Sequence, residues 1–160
     1  MAIMTKRITE NEIRSLAELR YQIRKFIQDG DATARDAGLE PQQYLLLLAL
    51  RGLPRGSEGT IRTMAERLFL QHHSAVELVD RMEGHGYVER TRSTKDRRQV
   101  LISVRPRGER LLQKVAEKRL IELRSNGHEL VEAISSLLES RLSSPAEGGK
   151  GKLRSKYGRR

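Results

Sequence analysis

The residues with chemistry to offer gather in two stretches. His72, His73, Ser74, Glu77 and Arg81 lie in the first, and Arg92, Lys95, Asp96, Arg97 and Arg98 in the second. Neither is an enzyme's kit. The chain shows no Gly-rich phosphate loop, no nucleophile beside a base and no cluster of metal ligands, so we expect no catalysis, no metal and no cofactor. His72 and His73 are adjacent, and adjacent residues on a helix diverge by about 100°, so they do not chelate one ion together. Such groups are suited to hydrogen bonding with base edges and neutralising phosphates. For the histidine pair two readings stand: a base or phosphate contact by at least one of them, or a plain helix-cap and surface position. Glu77 accepts from a cytosine amino group, orients a neighbouring arginine, or points away. Arg97, with Lys95 as second choice, is suited to enter a minor groove, with Asp96 holding an arginine in a bidentate pair. The bland counterpart is a solvated charge run.

Positioning these groups takes a helix, a turn, a second helix and a hairpin. Thr60 caps a helix to Phe69 whose Ile61, Met64, Ala65 and Leu68 form one stripe. A second helix, His72 to Glu83, turns Ala75, Val76, Leu78, Val79 and Met82 inward, and Gly84 and Gly86 stop it. Residues 87–92 and 99–104 read as strands around a polar tip, Ser93 to Arg98, with no apolar anchor. This order predicts a winged helix-turn-helix: a mainly α chain with a small β wing, whose second helix is shaped for a DNA major groove.

Flanking helices complete the plan. Thr9-Glu10-Asn11-Glu12 is a capping box, and Ile13, Leu16, Leu19, Ile23, Phe26 and Ile27 recur behind it at helical spacing. This helix should run to about Gln28, break at Asp29-Gly30-Asp31, and resume as a short piece from Ala32 to Ala37. Pro41 opens a helix to Leu50 that is apolar nearly all round, hence buried. After Pro106 and Gly108 comes a long helix that Asn126-Gly127 should break, then a last helix from His128 to Leu142. The expected division is an N-terminal dimerisation region over 1–38, a DNA-binding domain over 39–108, C-terminal dimerisation helices over 109–142, and a basic disordered tail over 143–160. The apolar stripes of the terminal helices need a partner, and packing against each other and a second copy makes a two-fold dimer.

Charge agrees with a polyanion partner. The chain carries +10, and nine Lys/Arg face three Asp/Glu between His85 and Lys114, with six against Glu147 alone from Pro145 onward. That clustering favours nucleic acid over an evenly charged surface. The basic end from Lys150 to Arg160 either adds non-specific DNA affinity or only solubilises. The absence of cysteine excludes disulfides, Cys-based zinc sites and thiol sensing. The longest apolar run, Tyr44 to Leu50, is far short of the roughly 18 residues a membrane span needs. We expect a cytoplasmic protein with no membrane contact.

Five segments carry a family resemblance. They are Leu39-Glu40-Pro41-Gln42-Gln43-Tyr44, Val79-Asp80-Arg81-Met82-Glu83, Gly86-Tyr87-Val88-Glu89-Arg90, Asp96-Arg97-Arg98 and Val104-Arg105-Pro106-Arg107-Gly108. In this order and at these separations the chain, from about Thr9 to Leu142, resembles the MarR family of bacterial transcription regulators. The resemblance implies a homodimer on double-stranded DNA at a pseudo-palindromic operator, with repression the favoured sign. It also implies a cleft between the dimerisation helices and the DNA-binding lobe, taken in many relatives by a small aromatic acid or other lipophilic anion. Arg20, Tyr21, Arg24 and Tyr44 are the candidate lining groups. His72, His73 and Glu77 depart from the small hydroxyl and basic residues many relatives carry there, so no operator sequence carries over. The alternative function is a sequence-indifferent architectural DNA binder.

Overall fold

The computed structural model describes residues 7–139 as five helices and one hairpin; the tail expected over 143–160 and the helix end at Leu142 lie outside the described residues. The elements are α1 (Glu10–Asp36), α2 (Pro41–Arg51), α3 (Ile61–Leu68), α4 (His72–Gly84), β1 (Val88–Arg92), β2 (Val100–Val104) and α5 (Pro106–Glu139). This is the mainly helical winged architecture, with helices before and after the winged core.

Caps set most boundaries. Thr9 and Glu12 close the expected capping box: the Thr9 N–H donates to Glu12 Oε2 at 2.7 Å, and Glu12 N–H to Thr9 Oγ1 at 3.2 Å. At the other end Gly38, at φ +86°, lets Leu39 N–H reach Ala34 O at 3.0 Å and turns the Leu39 side chain into the core. Glu40 N–H donates to Gln43 Oε1 at 3.0 Å over a first-turn Pro41. Thr60 Oγ1 accepts from Thr63 N–H at 3.1 Å to start α3. Phe69 ends α3 in the left-handed region, φ 54°, where glycine is usual, and its side chain is 96% exposed. Such a conformation costs a phenylalanine about 1–2 kcal/mol.

Two expected helix breaks do not occur. α1 runs unbroken through Asp29-Gly30-Asp31, and α5 is one helix through Asn126-Gly127. An interior glycine costs only about 1 kcal/mol against alanine, and an asparagine less. The two helices pack antiparallel along their length and recover more than that. Lys25 meets Glu129 at 2.9 Å, Thr33 Oγ1 donates to Glu122 at 3.3 Å, and Lys118 meets Asp36 at 3.2 Å. Gly30 sits where the Arg119 side chain crosses α1, and a Cβ there would be 3.4 Å from Nε. α2 also departs from full burial: Leu46, Leu47 and Tyr44 are buried, whereas Leu45 and Leu48 are half exposed.

The core joins the winged elements to both terminal helices: Ala34 of α1, then Leu39, Leu46, Leu47, Met64, Leu78, Val79, Met82, Val88 and Ile102, with Leu112 and Val115 of α5. The strands pair antiparallel with Val88 opposite Val104 and Arg92 opposite Val100. Ile102 N–H also donates to Gly59 O at 2.7 Å, tying the hairpin to the loop before α3. Leaving the wing, the chain runs close against Tyr87. Arg105 N–H donates to Tyr87 O at 2.9 Å, and a Cβ on Gly108 would lie 2.3 Å from that same oxygen and 3.1 Å from Leu47 Cδ2.

Gly108→Ala should therefore lower unfolding stability by about 2–3 kcal/mol, the usual toll of forcing atoms into a packed site. Gly84 lies within α4 with nothing within 4 Å of an added Cβ. Gly84→Ala should raise stability by about 0.5–1 kcal/mol. Urea denaturation of the two variants beside the parent checks both signs.

Candidate nucleic-acid interface and the cleft behind it

α4 divides cleanly into two faces. Ala75, Leu78, Val79 and Met82 are buried, while His72, His73, Glu77 and Arg81 are exposed and Ser74 is partly so. His73, Glu77 and Arg81 follow at four-residue spacing and so form one outward row. Among the described residues none of these outward side chains makes a salt bridge; Arg81 contributes its carbonyl, which His85 Nδ1 approaches at 2.6 Å. His85 then stacks on Tyr87, centroids 5.3 Å apart, and Arg107 covers the Tyr87 ring and donates to His85 O at 3.0 Å. The helix thus ends against a layered cap that shields its last carbonyls.

The wing tip is a folded turn built on Ser93. That residue is buried, its N–H donates to Gln99 O at 2.9 Å, and its Oγ accepts from Lys95 N–H at 3.2 Å and Asp96 N–H at 3.4 Å. Asp96 does not hold an arginine guanidinium, which corrects the sequence expectation. Its Oδ1 instead accepts the backbone N–H of Arg98 at 2.9 Å, the short-range turn bond that aspartate makes most readily. Arg92, Lys95, Arg97 and Arg98 are all exposed and make no ion pair among the described residues. Four unneutralised cations on a small hairpin constitute an anion-seeking surface.

The arginine next to them behaves differently. Arg90 turns back from β1 to α4, its guanidinium bridging Asp80 and Glu83, and its own N–H donates to Glu83 Oε1 at 3.0 Å. Burial by itself lowers the Arg90 pKa, but the hydrogen bonds to Asp80 and Glu83 outweigh it and the net shift is upward. The cation is fixed in place. Sequence reading had the parts, an acid pair at Asp80 and Glu83 followed by Arg90, without the bridge. The signal was the i, i+3 spacing of the acids on the side of α4 facing the strand.

Apart from the exposed face of α4 and the wing lies a cleft of about 650 Å³ between α1, α2 and the α3–α4 turn. Phe26, Ile27, Tyr44, Leu45, Leu48 and Phe69 supply most of its wall, with Arg67, Arg119 and Asp31 as its charged groups. Of the four residues proposed from sequence only Tyr44 lines it; Arg20, Tyr21 and Arg24 are exposed elsewhere on α1. Burial raises the Tyr44 phenol pKa, and the Arg119 charge pulls it partway back. Among the described residues no cluster of three or more His, Cys, Asp or Glu is placed to hold a metal ion. Among them, too, no helix is long and apolar enough to cross a membrane.

Comparison with known proteins gives consistent results. Residues 37–99 match the model of the MarR family. An uncharacterised HTH-type transcriptional regulator of Bacillus subtilis, YsmB, is 28% identical over 121 residues, spanning 73% of this chain and 81% of the relative. A MarR family protein from Bacillus stearothermophilus superposes with a TM-score of 0.65 at 25% identity, covering 86% of this chain and all of the other. CouR from Rhodococcus jostii RHA1, solved with p-coumaroyl-CoA, gives 0.61 at 22% identity over 78% of this chain and 85% of its own. A MepR variant from S. aureus, solved on an oligodeoxyribonucleotide, gives 0.56 at 18% identity over 77% of this chain and 94% of its own.

The Arg90 bridge makes a stability prediction. Asp80 is 58% exposed and Glu83 40%, so water weakens both partners. Arg90→Ala should cost about 1–2 kcal/mol, and Arg90→Lys should recover only part because an ammonium cannot fork between two acids. In a background of Asp80→Asn and Glu83→Gln the alanine change should cost much less. Unfolding curves across that cycle measure the coupling.

Proposed function

We propose that this chain, whose residues 37–99 match the MarR family model, is a transcription regulator of that family and works as a homodimer on a pseudo-palindromic operator. Each subunit lays α4 in a major groove and reaches the neighbouring minor groove and phosphates with its wing. The observation that carries this is the contrast around Arg90. Arg90 is neutralised from within, while Arg81 on α4 and Arg92, Lys95, Arg97 and Arg98 on the wing stand exposed without acidic partners among the described residues. A helix and hairpin that neutralise Arg90 from within and leave four arginines and a lysine bare present the bare cations to an external polyanion. The DNA bound by the MepR variant is a precedent for this use of the fold.

The dimer follows from apolar surface. Ile13, Leu16, Leu120, Ile121, Val131 and Leu138 are each at least half exposed on α1 and α5. A second copy covers them and sets two α4 helices about one turn of DNA apart. The cleft takes a small amphiphilic anion that weakens DNA binding, as its apolar wall and two arginines suit and as the acyl-CoA bound by CouR illustrates. Occupying a promoter, the protein acts in the cytoplasm as a repressor. The base-reading row is His73, Glu77 and Arg81, with His72 and Ser74 at the helix start, and Asp96 shapes the wing turn. The second reading, a sequence-indifferent DNA binder, draws on the six Lys/Arg against one Glu in residues 145–160.

In-vitro selection from random duplexes at near-physiological salt tests the proposal. An enriched inverted repeat supports it; binding with no enriched motif that vanishes as salt rises supports the second reading. On the selected site, Arg97→Ala should lower the salt slope by about one. His72→Ala with His73→Ala should weaken specific binding by about tenfold or more with the slope unchanged. An Arg97→Ala protein that keeps both affinity and slope would remove the wing from the interface.

A further inference from the structure

We infer that Arg119 is the anion anchor of the cleft, that Glu122 competes with the ligand for it, and that the ligand is an amphiphile with one carboxylate or sulfonate head. This rests on the cleft being the effector site, and it names the residue and chemistry by which that site selects.

Arg119 is a singular residue in this structure. Its side chain is 11% exposed, against 59% for Arg51 and 86% for Arg62. Nη1 donates to Glu122 Oε2 at 2.7 Å and Nη2 to Phe26 O at 2.9 Å, and the guanidinium lies over the Phe26 ring at 4.7 Å. Those bonds leave further N–H donors of the guanidinium unspent among the described residues. A guanidinium held this firmly loses little freedom when it binds an anion, unlike the exposed Arg67 across the cleft.

Its location decides what it can serve. Arg119 lines both the apolar cleft and a second, polar cavity of about 340 Å³ on the α1–α5 seam. On the seam side its charge meets Glu122, which also accepts from the Thr33 hydroxyl at 3.3 Å. On the cleft side it faces apolar walls, and Asp31 is the one carboxylate there against two arginines. The phenol of Tyr44, a neutral hydroxyl whose pKa burial raises further, is a second donor among the lining groups. An apolar body with an acidic head satisfies all of these groups at once. A neutral body gains the walls but leaves the arginine with Glu122 alone. Gly30 belongs to the same arrangement, because it leaves α1 bare where the guanidinium crosses.

Two fluorescent probes of one shape separate these terms: anilinonaphthalenesulfonate and uncharged phenylnaphthylamine, titrated into the full chain. The parent should bind the sulfonate more tightly. Arg119→Gln should weaken the sulfonate about tenfold and leave the neutral probe within about twofold. Glu122→Gln keeps an oxygen for Thr33 but removes the competing charge, so it should tighten the sulfonate severalfold. A purely structural ion pair would not give opposite signs in the two variants. If Arg119→Gln loses both probes, Glu122→Gln decides: tightening sustains the anchor, and an unchanged or weaker sulfonate overturns it. No sulfonate preference in the parent, or an Arg119→Gln protein that retains it, overturns it as well. DNA affinity measured with and without the sulfonate reports separately on the effector reading. Binding through Arg119 with no effect on DNA would keep the anchor and remove the effector role.

Discussion

A guanidinium leaves water only when carboxylates follow it, and at Arg90 two do. The wing is a two-stranded hairpin, a structure with marginal stability of its own. It stays in one orientation because its first strand is held to α4 by the Arg90 bridge and its second strand to the loop before α3 by Ile102 and Gly59. Val88 and Ile102 are packed in one core with Leu78, Val79 and Met82, and these polar ties add direction to that packing, setting the tip cations and the α4 side chains in one arrangement. Surface ion pairs are usually worth little to stability, and the value of this one lies in geometry.

The second constraint is the antiparallel pairing of α1 and α5. Its visible ties are a ladder of half-exposed pairs, Lys25 with Glu129 and Lys118 with Asp36, and each contributes little. The stronger hold is Arg119 across Phe26, together with Leu112 and Val115 of α5 in the winged core. This pairing covers one side of each long helix and leaves an apolar side open on both. The fold is therefore closed around the winged lobe and unfinished along the terminal helices.

The winged core was legible because its signals are local. Thr60 caps α3, the buried residues of α4 fall at helical spacing, and β1 and β2 begin and end within a residue of the pattern of their side chains. What misled was also local. Asp29-Gly30-Asp31 and Asn126-Gly127 look like stops, but their propensity penalties are small beside the packing of two helices on each other. Asp96 looked like a partner for an arginine side chain and serves a backbone N–H instead. The cleft was the least legible part. Tyr44 was found by type, whereas Phe26 and Arg119 stand 93 residues apart in the chain and meet only because α1 and α5 run antiparallel. Arg20, Tyr21 and Arg24 have the right chemistry on a part of α1 that does not face the cavity. No pattern along one helix reveals which of its turns a distant helix will cross.

The antiparallel seam has a consequence for the order in which a cell makes this protein. Lys25 and Glu129 are separated by 104 residues. At roughly 5–20 residues per second a ribosome delivers α1 several seconds before the part of α5 that covers it. In that interval the core lacks Leu112 and Val115, and Phe26, Ile27 and the rest of the α1 apolar side wait in water. A nascent α1 therefore stays uncovered until the α5 of its own chain has been made. The seam thus closes last, and the pace of synthesis becomes a variable of folding.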